Sequence, residues 1–94
     1  VSDAALKHRM REAAEAEERE FYAHRITPEW RAALAPLGTD DVKTHLTDAP
    51  WVVVLFRQSY GLEPDGGKRT FYYTQESCGI AAGFFIAAVH HMGL

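Results

Sequence analysis

Residues 72–94 read YYTQESCGIAAGFFIAAVHHMGL. No residue from Cys78 to Val89 is charged, and the stretch predicts a helix that is apolar on every side. A surface helix would show a polar face at a period of 3.6 residues; this one asks for shelter all round. Crossing a membrane takes about 20 apolar residues. The run is shorter than that, bounded by Gln75 and Glu76 before it and by His90 and His91 after it, so no membrane segment is expected. Gly79 and Gly83, with Cys78 and Ala82 beside them, form a strip nearly free of side chains where another backbone can come close. Two readings meet the demand for shelter. Either the 72–94 helix packs on its counterpart in a homodimer, or it passes beneath a sheet of its own chain.

Trp51 to Phe56, WVVVLF, is the one clear strand of the sequence. A continuous apolar run of this length belongs to a central strand covered on both faces. A lone strand leaves its N–H and C=O groups without neighbours, so its partners are expected from residues outside this chain or from another molecule. The strand and the apolar helix together point to an incomplete domain, an obligate oligomer, or both. The start at Val1 rather than Met agrees with a missing N-terminal part.

The remaining segments are helical or loops. Ser2 as cap, with Asp3 in the first turn, opens a helix expected from about Asp3 to about His24. Leu6, Met10, Ala13, Ala14 and Phe21 fall on its apolar stripe, and the Glu15, Glu17, Glu18, Glu20 cluster reads first as a solvated face. Thr27-Pro28-Glu29 opens a second, short helix that should stop near Pro36-Leu37-Gly38. Thr39 or Asp40 should cap a third, running to His45 or Leu46 and carrying Lys43. Gln58 to Arg69 reads as a surface loop with turn chemistry at Pro64-Asp65-Gly66-Gly67. It is not a phosphate loop: the spacing from Gly61 to Gly67-Lys68 is one residue too long, and Arg69 stands where a magnesium-binding Ser or Thr belongs.

The 94 residues are enough for one domain or part of one. A hydrophobic content of 47% and a charged content of 24% are those of a globular protein. The net charge of −3 gives no basic surface for nucleic acid. The single cysteine, Cys78, excludes an internal disulfide and reads as an inert core residue. No pair of histidines has the i, i+4 spacing of a helical zinc site, so no metal is expected. No signal peptide is visible, and a cytoplasmic location is expected.

Tyr72-Tyr73, Glu76-Ser77, Gly79-Ile80-Ala81, Gly83, His90 and Gly93-Leu94 together resemble the central helix of the FMN-dependent nitroreductases, most closely the iodotyrosine deiodinase branch. Three other segments agree in the same order: the Glu-rich first helix ending in Phe21-Tyr22, the stretch from Leu34 to Thr39, and Thr47 to Gly61. The resemblance implies an α+β sandwich of two intertwined subunits with FMN at their interface. Residues 1–94 would be a mostly helical central fragment of that domain, with its N- and C-terminal parts missing. The segments that grip the FMN phosphate and face the flavin ring would lie before Val1 and after Leu94. No cofactor-binding and no catalytic residue is therefore carried over, and the fragment alone is expected to be inactive.

The resemblance does carry over a substrate-binding set. Deiodinases similar to this sequence grip an amino-acid zwitterion with a Glu, a Tyr and a Lys, which fall here on Glu18, Tyr22 and Lys43. The chemistry of the residues agrees. Glu18 and Tyr22, four apart, share a helix face. Glu18 can accept from the ammonium, while Lys43 and Tyr22 can donate to the carboxylate. Charge-assisted hydrogen bonds of this kind contribute about 1.5–3 kcal/mol each. Asp41 departs from the pattern, since the family can carry a bulky aromatic there, and its absence puts the fit of the tyrosine analogue in question. The expected activity of the full-length protein is removal of iodide or another halide from a halotyrosine with reduced FMN as electron source. The alternatives are a general nitroreductase or quinone reductase of the same fold, and an inactive truncated piece that only dimerises.

Overall fold

A computed structural model describes residues 1–94. Helix α1 spans Ala4–Glu20. Its cap is Asp3, not Ser2: the Asp3 carboxylate accepts from the Leu6 N–H at 2.7 Å. That contact satisfies one of the free donors of the first turn. The helix does not continue as α to His24. It widens into a π-helical turn over Phe21–Arg25, closed by the Ile26 N–H donating to the Phe21 carbonyl at 2.9 Å.

Helix α2, Pro28–Leu34, begins where the sequence places it. The Thr27 hydroxyl accepts from the Trp30 N–H at 3.2 Å, and Pro28 occupies the first turn. A missing N–H costs nothing at that position. A 3-10 turn over Ala35–Leu37 ends at Gly38, whose φ is +63°. This left-handed conformation suits a residue without Cβ. The third helix differs from expectation. Helix α3 is the single turn His45–Asp48, and neither Thr39 nor Asp40 caps it. The Asp40 side chain instead accepts from the Val42 N–H at 2.9 Å. This local turn competes with helix formation and leaves Lys43 on irregular backbone.

Trp51 to Phe56 is not a strand. No regular structure forms there, and Trp51 and Phe56 are 67% and 84% exposed. Its one backbone pairing joins Val52 to Val1, with N–H···O distances of 2.9 and 2.7 Å. The physical reason is the one that made its neighbours a requirement: a ladder needs a facing strand, and these residues have none. The chain also divides into two compact units inside this run, Val1–Val53 and Val54–Leu94.

In the second unit the expected loop is a hairpin. Strands β1, Tyr60–Leu62, and β2, Lys68–Thr70, pair antiparallel with Tyr60 opposite Thr70 and Leu62 opposite Lys68. The turn chemistry is as read: Gly66 adopts φ +85°, and the Gly67 N–H donates to the Asp65 carboxylate at 2.8 Å. Short polar flanks hid the pairing, since Lys68, Arg69 and Thr70 do not alternate apolar with polar. Helix α4 spans Thr74–His91. None of its residues is buried, and the hairpin does not cover it. The architecture is mixed helix with a two-stranded sheet.

The first unit is held by polar contacts. Lys7 is the one buried residue, 7% exposed, and no hydrophobic residue reaches burial. Its ammonium donates to the Ala49 and Thr47 carbonyls at 2.6 and 3.3 Å. These oxygens belong to the end of α3, where carbonyls lack partners within the helix. Replacing Lys7 with Met keeps the stem and removes the donor. Stability is expected to fall by about 1–3 kcal/mol, measured by urea denaturation of the full-length protein.

Candidate functional site

The site is built where α1 ends. The π turn brings Phe21 and Tyr22 over α2: the Phe21 ring lies edge-on to Trp30 at 5.2 Å and to Tyr22 at 5.3 Å, a favourable arrangement of ring quadrupoles. The Arg31 guanidinium ties the two elements by donating to the Tyr22 carbonyl. Turns of this wide kind often mark functional positions. Gly38 then swings the chain back so that Thr39 meets Tyr22, whose hydroxyl donates to the Thr39 Oγ1 at 3.0 Å.

Glu18, Tyr22 and Lys43 line one cavity of 430 Å³, together with Phe21, Trp30, Leu34 and Thr39. The three residues singled out in the sequence are thus brought together. Lys43 Nζ lies 3.2 Å from Glu18 Oε2 and donates to the Asp40 carbonyl at 2.7 Å. Lys43 does not stand on a helix as expected. It reaches Glu18 from the irregular stretch before α3, which α1 holds in place. Sequence reasoning passed over Trp30, Leu34 and Thr39 as lining. Their signal was present only in part: Thr39 lay inside a segment of the resemblance, whereas Trp30 read as an ordinary helix residue.

Nor is the acidic cluster uniformly solvated. Glu17 and Glu20 are exposed and pair with Arg25 and His24. Glu15 and Glu18 are half-buried and face the 39–49 segment. Glu15 Oε1 accepts from the Lys43 N–H at 2.9 Å and from Arg11 Nε at 2.6 Å. The Lys43 backbone hydrogen bond, then the Arg11 side chain, hold the Glu15 carboxyl below the usual carboxylate range, since both favour its charged form. Asp41, where the resembling family can carry an aromatic, lies 3.7 Å from Arg19. It borders a second cavity of 330 Å³ with Tyr22 and Arg31.

The cavity offers one carboxylate, one ammonium, a phenol and an aromatic wall. This donor set matches a zwitterion bearing an aromatic group. No cluster of three or more His, Cys, Asp or Glu side chains could hold a metal ion, and no helix is long and apolar enough to cross a membrane.

No protein-family model matches the chain. Its whole length matches curated iodotyrosine deiodinases. It is 50% identical over 94 residues to the iodotyrosine deiodinase of Haliscomenobacter hydrossis, covering 42% of that protein. It is 42% identical over 94 residues to that of Danio rerio, covering 32%. It is 38% identical over 94 residues to iodotyrosine deiodinase 1 of Sus scrofa, again covering 32%. The chain is thus homologous along all its residues to iodotyrosine deiodinases, and it spans well under half the length of these relatives.

The Glu18–Tyr22–Lys43 cavity does not fit an FMN phosphate. Such a group takes concentrated positive charge, and the cavity's one ammonium already faces Glu18 at 3.2 Å.

Glu15 makes this corner sensitive to acid. A carboxyl whose folded pKa is depressed contributes stability that is present above its unfolded pKa and lost as the pH falls through the folded value. The stability difference between the full-length protein and its Glu15→Gln variant is therefore expected to be constant near neutrality. It should shrink as the pH drops below the ordinary glutamate range, followed by urea denaturation at stepped pH.

Proposed function

We propose, from this homology and the geometry of the 430 Å³ cavity, that the 94 residues form the ligand-gripping part of a flavin-dependent oxidoreductase. The full-length protein removes iodide or another halide reductively from a halotyrosine. The observation that carries this reading is the convergence of Glu18, Tyr22 and Lys43 on one cavity from α1, the π turn and the stretch before α3. The ligand's ammonium takes the Glu18 carboxylate, and its carboxylate takes Lys43 and the Tyr22 hydroxyl.

The Glu18–Lys43 pair at 3.2 Å gives this selectivity a physical basis. A zwitterion inserts between the two charges and leaves both compensated. A ligand with only one charge breaks the pair and satisfies half of it, leaving the other charge partly desolvated. The rings of Phe21, Tyr22 and Trp30 cover the ligand's apolar part and exclude water. This cavity takes the substrate and not the FMN phosphate, because its one ammonium already faces Glu18.

The reading includes a homodimer. Helix α4 exposes Ile80, Phe84 and Ile86 to between 63% and 74%. Ile80, Gly83, Phe84 and Ala87 line an apolar groove of 320 Å³. A Cβ added at Gly79 or Gly83 would meet open space. Side-chain-free positions on an exposed apolar helix fit close approach by a second copy.

Titrating the FMN-loaded full-length protein with 3-iodotyrosine tests the substrate assignment. Glu18→Gln and Lys43→Ala are each expected to weaken binding by about 1.5–3 kcal/mol, roughly ten- to a hundredfold, read from flavin fluorescence. Unchanged affinity in both variants would remove the assignment. For the interface, Gly83→Leu is expected to shift the full-length protein from dimer to monomer in analytical ultracentrifugation.

A further inference from the structure

Lys43 carries half of the charge that meets the proposed ligand, yet it stands on backbone with no helical or strand ladder. Something else must fix it. Two contacts hold its head group, Glu18 Oε2 at 3.2 Å and the Asp40 carbonyl at 2.7 Å. Its backbone is held at the amide by the Glu15 carboxylate, which accepts from the Lys43 N–H at 2.9 Å, and at the carbonyl by the Leu46 N–H at 3.1 Å. Glu15 and Glu18 are three residues apart on α1 and share a face. One helix face therefore grips the same lysine at its amide and at its ammonium. Glu15 is itself held from behind by Arg11, at 2.6 Å, and Arg11 also donates to the Thr47 hydroxyl at 3.1 Å.

We propose that Glu15 is a positioning residue for ligand recognition: its carboxylate fixes the backbone of Lys43 so that the lysine ammonium is already in place for an amino-acid carboxylate. This rests on the reading of the Glu18–Tyr22–Lys43 cavity given above. Glu15 lines no part of that cavity and acts only through Lys43. Its effect is preorganisation: a lysine on a fixed backbone loses less freedom on binding than one on a mobile loop.

The consequence is selective. Loss of Glu15 should harm ligands that use Lys43 and spare those that do not. 3-Iodotyrosine has the carboxylate; 3-iodotyramine keeps the ring and the ammonium but lacks it. In the FMN-loaded full-length protein, Glu15→Ala is expected to weaken 3-iodotyrosine binding roughly three- to tenfold and to cause no loss of 3-iodotyramine binding. Added to Lys43→Ala, it should cause no further loss for either ligand. Glu15→Gln keeps an acceptor oxygen for the Lys43 N–H and should recover most of the affinity. A merely structural role would weaken both ligands alike, or add to the Lys43→Ala loss, and either result overturns the proposal. Full 3-iodotyrosine affinity in Glu15→Ala also overturns it. If Glu15→Ala does not fold, Glu15→Gln carries the test: a smaller loss confined to 3-iodotyrosine supports the role, and an equal loss for both ligands ends it. Lys43→Ala alone separates the cavity reading from the positioning role. If it fails to discriminate between the ligands, the cavity reading falls and takes this inference with it; if it discriminates and the Glu15 variants do not, only the positioning role falls.

Discussion

One polar face of α1 organises the first unit. Lys7, Arg11, Glu15 and Glu18 rise along the helix at intervals of three and four, and Tyr22 continues the row on the π turn. Their partners descend along the chain that returns beside it: the Thr47 and Ala49 carbonyls, the Thr47 hydroxyl, the Lys43 amide, the Lys43 ammonium and the Thr39 hydroxyl. Lys7 and Glu15 satisfy backbone groups that would otherwise stay unpaired, while Arg11, Glu18 and Tyr22 meet side chains of the same stretch. No hydrophobic residue of the chain is buried, so this seam, rather than an apolar core, fixes where residues 39–49 run.

The same seam makes the site. Its upper members, Glu18 and Tyr22, line the 430 Å³ cavity, and its middle member, Glu15, holds the lysine that completes it. Structure and the proposed recognition thus share one row of side chains. Elsewhere the chain leaves large apolar surfaces open. Trp51, Phe56, Phe84 and Leu94 are large apolar side chains that stand exposed. That agrees with a chain that spans 42% or less of the relatives it matches.

Parts of this were open to reading from residues alone. Thr27-Pro28 announces α2, and Pro64 to Gly67 announces a turn. The uncharged run after Cys78 announces α4. Glu18, Tyr22 and Lys43 were named through resemblance and stand together. Other parts were not. The WVVVLF run has every local mark of a strand and forms none, because pairing is a relation between two segments and a sequence window holds only one. The π turn at Phe21 and the shortened α3 depend on hydrogen bonds, Ile26 to Phe21 and Val42 to Asp40, that compete closely with a regular helix.

Helical periods, the Thr27 cap, turn residues and an apolar content that these residues cannot enclose all follow from the order of amino acids. Which polar residues of α1 face water and which face the chain follows only from how the segments meet in space. A glutamate at a given helical position looks the same in either case. What separates Glu15 and Glu18 from Glu17 and Glu20 is the segment lying opposite, and its placement comes from contacts between residues 28 to 42 positions apart.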